Sequence, residues 1–176
     1  HRWDYDHWAS LGNEGWSYDE ILKYFKKAEH NETFDDQFHG QGGPLNVSKI
    51  RHENKPTKDF VEAGSKLYKH NEDFNGEEQE GIGFYQTTQK DGKRCSTAKA
   101  YLVPALDRPN LTVITEANVN KILIDNQKAS GVEYIDAEGQ SHILSASKEV
   151  LLCSGAFGSP QILLRSGVGP KEEIEK

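Results

Sequence analysis

Apolar residues return every three to four positions near the start of the chain, at Tyr5, Trp8 and Leu11, which puts them on one face of a short helix closed by Gly12. Trp3, Trp8 and Trp16 then read as ordinary core aromatics. A second helical period runs through Ile21, Leu22, Phe25 and Ala28. It follows Ser17-Tyr18-Asp19-Glu20, where serine and glutamate three apart make a capping box. The stretch 39–47, HGQGGPLNV, is punctuated by Gly40, Gly42, Gly43 and Pro44 and reads as a loop followed by a short strand. Pro56 opens a third helix with Phe60, Val61, Gly64 and Leu67 inward, and 71–80 is a polar, acidic connector.

From Gly83 the period shortens. FYQTTQ is a β-type run, KDGK a turn, and Ser96 caps a helix through Ala98, Ala100 and Leu102 that Pro104 stops. Short strands are expected at 111–115, 119–124, 131–135 and 142–144, with Ala137-Glu138-Gly139 as the last turn. The run EVLLC at 149–153 is continuously apolar, as strands buried on both faces of a parallel sheet are. Ser154, Gly155 and Gly158 then make a turn into a helix carried by Ile162, Leu163 and Leu164, with Ser159 as its cap and Pro160 at its first position. Unpaired amides at that end are donors for a ligand bearing oxygens. The alternative is a strand-to-helix turn whose glycines serve packing alone.

Composition narrows the function classes. The 176 residues are 35% hydrophobic and 28% charged, which suits a globular protein of one domain or parts of two. The net charge of −7 argues against nucleic acid as a partner, and Lys90, Lys93 and Arg94 read as a solvated hairpin tip. No apolar run reaches the roughly 18 residues that suggest a membrane span. Cys95 and Cys153 stand in no metal or redox spacing, Cys153 reads as a buried hydrophobe, and a reducing, cytoplasmic setting is expected. Asn-x-Ser/Thr matches at Asn31, Asn46 and Asn110 matter only in a secreted protein. The histidines show no zinc-like spacing with carboxylates or cysteines and read as surface or packing groups. Glu77, Glu78 and Glu80 read as a solvated loop.

Three segments carry a resemblance. GAFGSPQILLRSGVG looks like the second signature of the glucose-methanol-choline (GMC) oxidoreductases, and DYDHWASLGNEGWSYDEILKYFKKAE and GKRCSTAKAYLVPALDRPNLTVIT resemble that family in the same order. The likeness spans essentially the whole chain and is closest to choline-dehydrogenase-like members. It implies an FAD-dependent alcohol dehydrogenase or oxidase, with hydride passing from a primary alcohol to FAD. The position matching Val119 offers its backbone to the adenine. Ser154 and Gly155, with Ala156 as a neighbour, lie close to the nucleotide half.

The resemblance also implies an architecture: an α+β chain joining part of a substrate domain to part of an FAD-binding α/β domain. Residues 1–50 hold lid-adjacent helices and a loop of the FAD domain, 51–108 part of the substrate domain, and 109–176 a β-meander and a buried strand-turn-helix. The family's GxGxxG and its catalytic histidine have no counterpart in the sequence, so the chain reads as the middle of a GMC enzyme, inactive alone. The alternative is a non-catalytic interaction module of the same fold. No metal ligand is expected, and the apolar strand near Val150 is expected to support self-association.

Overall fold

The structure is a computed structural model that describes residues 1–175. It combines helices and strands, in keeping with the α+β class, and divides into two compact units, His1–Leu111 and Thr112–Lys176.

The first unit begins with helices α1 (Arg2–Ser10) and α2 (Tyr18–Ala28). The capping box at α2 forms, with the Ser17 N–H donating to Glu20 Oε2 at 3.1 Å. Ile21 is buried, but Trp3, Trp8, Trp16 and Leu11 are exposed. The tryptophans are therefore not core: Trp8 meets Trp16 and Tyr5 edge-on at the surface. α2 runs directly into β1 (Glu29–Asn31), a strand the sequence period does not announce, which pairs in parallel with β2 (Leu45–Val47).

The loop between them folds back over the end of α2. A Cβ on Gly40 would collide with the Lys26 backbone, and one on Gly43 with that of Ala28 and Glu29, so glycine is required for this close approach. α3 (Lys55–Gly64) has Asn54 as its N-cap, accepting from Thr57 N at 2.9 Å, with Pro56 in the first turn. Only Val61 of the expected inner face is buried; Phe60 and Leu67 are exposed.

The β-type run 84–89 yields little strand. β3 (Gln89–Lys90) and β4 (Lys93–Arg94) form a minimal hairpin whose turn, Asp91-Gly92, has positive φ at both residues. The expected helix after Ser96 is a π-helical turn, Ala98–Leu102, continued by a 3-10 turn, Val103–Ala105, that contains Pro104 instead of ending before it. Cys95 is buried.

The second unit is an antiparallel meander, β5 (Asn118–Asp125), β6 (Lys128–Ile135) and β7 (Ser141–Ser145), with helix α4 (Gly155–Arg165) against β5 and a short α5 (Lys171–Ile174). Asn126 and Gln127 both take positive φ in the first hairpin turn. Ile122 and Ile162 are its buried aliphatics.

Two expected strands do not form. The stretches 111–115 and 149–153 form no regular element and join no ladder, and Val113, Ile114, Leu151 and Cys153 are exposed. A strand requires a neighbour for its amides and carbonyls, and the three-stranded meander, ordered β5-β6-β7, pairs with neither stretch. The buried parallel strand expected at Val150 is thus corrected to an unpaired segment in which Val150 and Leu152 are half-buried and Leu151 is exposed, and Cys153 is a surface thiol. The helix also starts earlier than expected. Ser154 is at the N-cap position, Ser159 lies within α4 and accepts from the Ser154 N–H at 3.1 Å, and Pro160 is internal.

Candidate cofactor-binding site

Two places in the molecule collect polar chemistry. The first is the start of α4. Gly155 has φ +80°, and a Cβ there would meet only open space, so an incoming group can reach the backbone unhindered. The first-turn amides of Gly155, Ala156 and Phe157 have no carbonyl one turn back to bond. Ser154, Gly155 and Ala156 are all exposed. Pro160 lacks an N–H, so it cannot bond the Ala156 carbonyl. This donor set fits a ligand that presents oxygens.

Val119 lies half-buried near the start of β5, paired with Tyr134. The ladder slips between Val119 and Lys121, so Asn120 is the extra residue of a bulge, a device that re-aims backbone groups. Asn120 Nδ2 donates to Glu133 Oε1 at 2.6 Å, and that bond, with Lys121 nearby, holds the Glu133 carboxyl below its ordinary range. The bond that ties α4 to β5 runs from Ile122 N to Ser166 Oγ at 2.8 Å, at the end of the helix opposite Ser154. The structure therefore brings Val119 and Ser154–Ala156 into one unit on adjoining elements, without a bond between them.

The second place is the polar centre of the first unit, which the sequence period does not show. Asn31, His39, Asn46 and Ser48 are buried. Asn31 Oδ1 accepts from the N–H groups of Thr33 and Phe34 at 2.9 and 3.0 Å, and its amide pairs reciprocally with that of Gln86 at 3.1 and 3.2 Å. His39 Nδ1 lies 3.3 Å from both Glu29 oxygens, and Nε2 lies 2.9 Å from Asp73 Oδ2. Ligand atoms of Asp36, His39 and Asp73 fall within 4.8 Å of one another. Reading every histidine as a surface or packing group apart from carboxylates is therefore corrected at His39. Its partners lie 10 and 34 residues away in sequence, so no local spacing announces them. A cleft of about 750 Å³ opens beside it, walled by Tyr5, Tyr18, Phe25, Phe38 and Phe74.

The GMC oxidoreductase family model matches residues 1–176, the full length of the chain. The chain belongs to the GMC oxidoreductases. An alcohol dehydrogenase (acceptor) of Pseudomonas putida is 44% identical over 179 residues, covering 100% of this chain and 32% of the relative. An oxygen-dependent choline dehydrogenase of Yersinia pseudotuberculosis is 45% identical, covering 98% of this chain and 31% of the relative. Among solved structures, an FAD-dependent oxidoreductase from Chaetomium thermophilum superposes with a TM-score of 0.86 at 28% identity, over 96% of this chain and 32% of that one. The chain thus spans about a third of the length of the GMC proteins it matches.

Proposed function

We propose that this chain is the middle part of an FAD-dependent GMC enzyme that oxidises a primary alcohol, choline-dehydrogenase-like in character. The observation that carries the reading is similarity over 98–100% of the chain to an alcohol dehydrogenase and a choline dehydrogenase. Residues 1–50 and 109–176 are assigned to the FAD-binding domain and 51–108 to the substrate domain.

Bound FAD supplies the acceptor for the hydride that an alcohol carbon gives up. The part of this chain is positional. The backbone of Val119, beside the Asn120 bulge, holds the adenine, and Ser154, Gly155 and Ala156 hold the nucleotide half with the first-turn amides of α4. The base that takes the hydroxyl proton is assigned by the resemblance to sequence beyond this chain. No helix among the described residues is long and apolar enough to cross a membrane. The free thiols Cys95 and Cys153 support a cytoplasmic setting. The unpaired segment 149–153, with Leu151 exposed, supports self-association, which strictly monomeric light scattering of the chain would overturn.

The test uses the full-length protein that contains this chain. Its spectrum should show flavin, and primary alcohols should bleach that flavin anaerobically. Val119→Ile should keep FAD content nearly unchanged because the backbone groups remain, whereas Val119→Pro removes the donor and should lower it. A colourless full-length protein, or equal FAD loss in both variants, would reject the assignment.

A further inference from the structure

Asn75-Gly76 is the only Asn-Gly pair in the sequence. It lies in a turn of the 71–80 connector, with Asn75 exposed and Gly76 half-buried. The Asn75 N–H donates to Asp73 Oδ1 at 3.0 Å and holds the turn, but the Asn75 side-chain amide and the Gly76 N–H have no hydrogen-bond partner among the described residues. Glycine has no Cβ, so nothing on that residue hinders its amide nitrogen from meeting the side chain before it. The glycine is itself fixed by packing. A Cβ on Gly76 would collide with Asp73 Oδ2, and that oxygen is held 2.9 Å from His39 Nε2.

Other pairs of similar chemistry are held differently. Asp91-Gly92 has the same following residue, but both members take positive φ in a hairpin turn closed by the Lys90–Lys93 pair, and Asp91 faces the Arg51 guanidinium at 3.8 Å. A carboxylate is also a far poorer target for a nucleophile than a neutral carboxamide. Asn31 and Asn46 are buried, spend their amides on hydrogen bonds to Gln86 and to the Gln89 carbonyl, and precede Glu32 and the β-branched Val47. Asn75 combines an unengaged carboxamide, exposure to water and a following glycine.

We propose that Asn75 is a self-modification site, at which the protein deamidates spontaneously and changes the wall of its own cleft. The Gly76 nitrogen gives up its proton to hydroxide and bonds to Asn75 Cγ; the Cγ–Nδ2 bond breaks and ammonia leaves. The five-membered imide then takes up one water. Opening at Cγ leaves aspartate at this position, and opening at the main-chain carbonyl leaves isoaspartate. Either product is ionised at neutral pH and adds a negative charge beside Asp73, Glu77 and Glu78. Asn75, Gly76 and Glu77 line the 750 Å³ cleft, so the charge is added to its wall. Isoaspartate also routes the main chain through the former side chain, longer by a methylene, which moves Gly76 against the Asp73 carboxylate it packs on. Ammonia is lost to solvent, so the reaction runs one way and the modified fraction records the age of the molecule. The site needs no cofactor and stands whether or not the flavin assignment holds.

The test is to age the full-length protein that contains this chain at physiological temperature, in neutral and in mildly alkaline buffer, and to follow it by peptide mapping and by isoaspartyl methyltransferase labelling. The peptide that spans Asn75 should lose its unmodified form by first-order decay, ahead of every other asparagine peptide, with the mass gain of an amide turned to an acid and one ammonia released per modified chain. The decay should quicken as hydroxide rises, and isoaspartate should form alongside aspartate. Asp91-Gly92 should stay intact in the folded protein and isomerise only after unfolding in urea. Asn75→Gln, whose longer side chain would have to close a larger ring, should abolish ammonia release and labelling at this position. In the isoaspartyl fraction, amide exchange over 71–80 should be faster than in fresh protein, with β5 and β6 unchanged. An Asn75 that outlasts the other asparagines, labelling that persists in Asn75→Gln, or a connector whose exchange is the same in fresh and isoaspartyl protein would overturn the proposal.

Discussion

In the second unit every strand pairs with the next one along the chain, and the helix that follows covers β5. In the first, the named strands are two or three residues long, and Asn31, His39, Asn46 and Ser48 are buried alongside Ile21, Val61, Cys95 and Ala100. The second unit buries Ile122 of β5 and Ile162 of α4; the first closes hydrogen bonds between residues up to 55 apart in sequence. The difference concerns how each tolerates loss. A deleted methyl in the meander leaves a cavity, whereas a deleted amide in the polar centre removes several hydrogen bonds at once, each worth about 0.5–1.5 kcal/mol.

The comparison is broken most directly at Asn31. Asn31→Ala removes the partner of the buried His39 Nδ1 and of the half-buried Gln86 side chain, and the acceptor of the Thr33 and Phe34 amides, and should cost about 3–5 kcal/mol. All three tryptophans, Trp3, Trp8 and Trp16, belong to the first unit, so urea unfolding followed by indole fluorescence reads that unit alone. A loss smaller than that of Ile122→Ala, expected at about 2–4 kcal/mol in the second unit by hydrogen exchange, would reverse the ranking.

Smaller changes sharpen it. Ser166→Ala leaves the Ile122 N–H of the edge strand without its acceptor and should cost about 1–2 kcal/mol, confined to β5 and α4 in exchange rates. Ser17→Ala removes half of the α2 capping box and should cost about 1 kcal/mol in the fluorescence transition, with the meander untouched. The smallest effect is on pH. His142 first, then the Gln140 and Glu138 amides, hold the Asp136 carboxyl below its ordinary range. That support is present above the unfolded pKa of about 3.9 and is lost as pH falls through the lower folded value. Exchange protection at the β6–β7 turn should therefore drop in acid. Asp136→Asn should flatten that response, and an unchanged acid profile in the variant would assign it elsewhere.

What was legible in the sequence follows from the same contrast. The α2 capping box, the Asp91-Gly92 turn, the Ala137-Glu138-Gly139 turn and the short strands that become β5 to β7 follow local rules, and they hold in the structure. EVLLC was misread because its apolar run describes what the segment is able to pair with, and among the described residues it joins no sheet. The tryptophans were misread because a helical period gives a face without saying what covers it. The His39 cluster was illegible for another reason: Glu29 and Asp73 reach it only after α2 runs into β1 and the connector folds back. The start of α4 was found by its glycines and by resemblance, although the helix begins at Gly155 instead of Pro160.

The burial of Asn31 and Asn46 has a consequence for how this protein can be made. Both head Asn-x-Ser/Thr triplets, and both use Nδ2, the atom that receives a sugar, as a donor to Glu29 and Gln86 or to Glu32 and the Gln89 carbonyl. In a secretory host the glycan is added to the chain before it folds. An oligosaccharide on either amide would remove a donor hydrogen and place a large hydrated group where the structure has no room for it. Asn110 is exposed in a turn and could carry the same sugar without touching the fold. Production through a eukaryotic secretory route should therefore trap chains glycosylated at Asn31 or Asn46 as misfolded material and release only those modified at Asn110 or not at all.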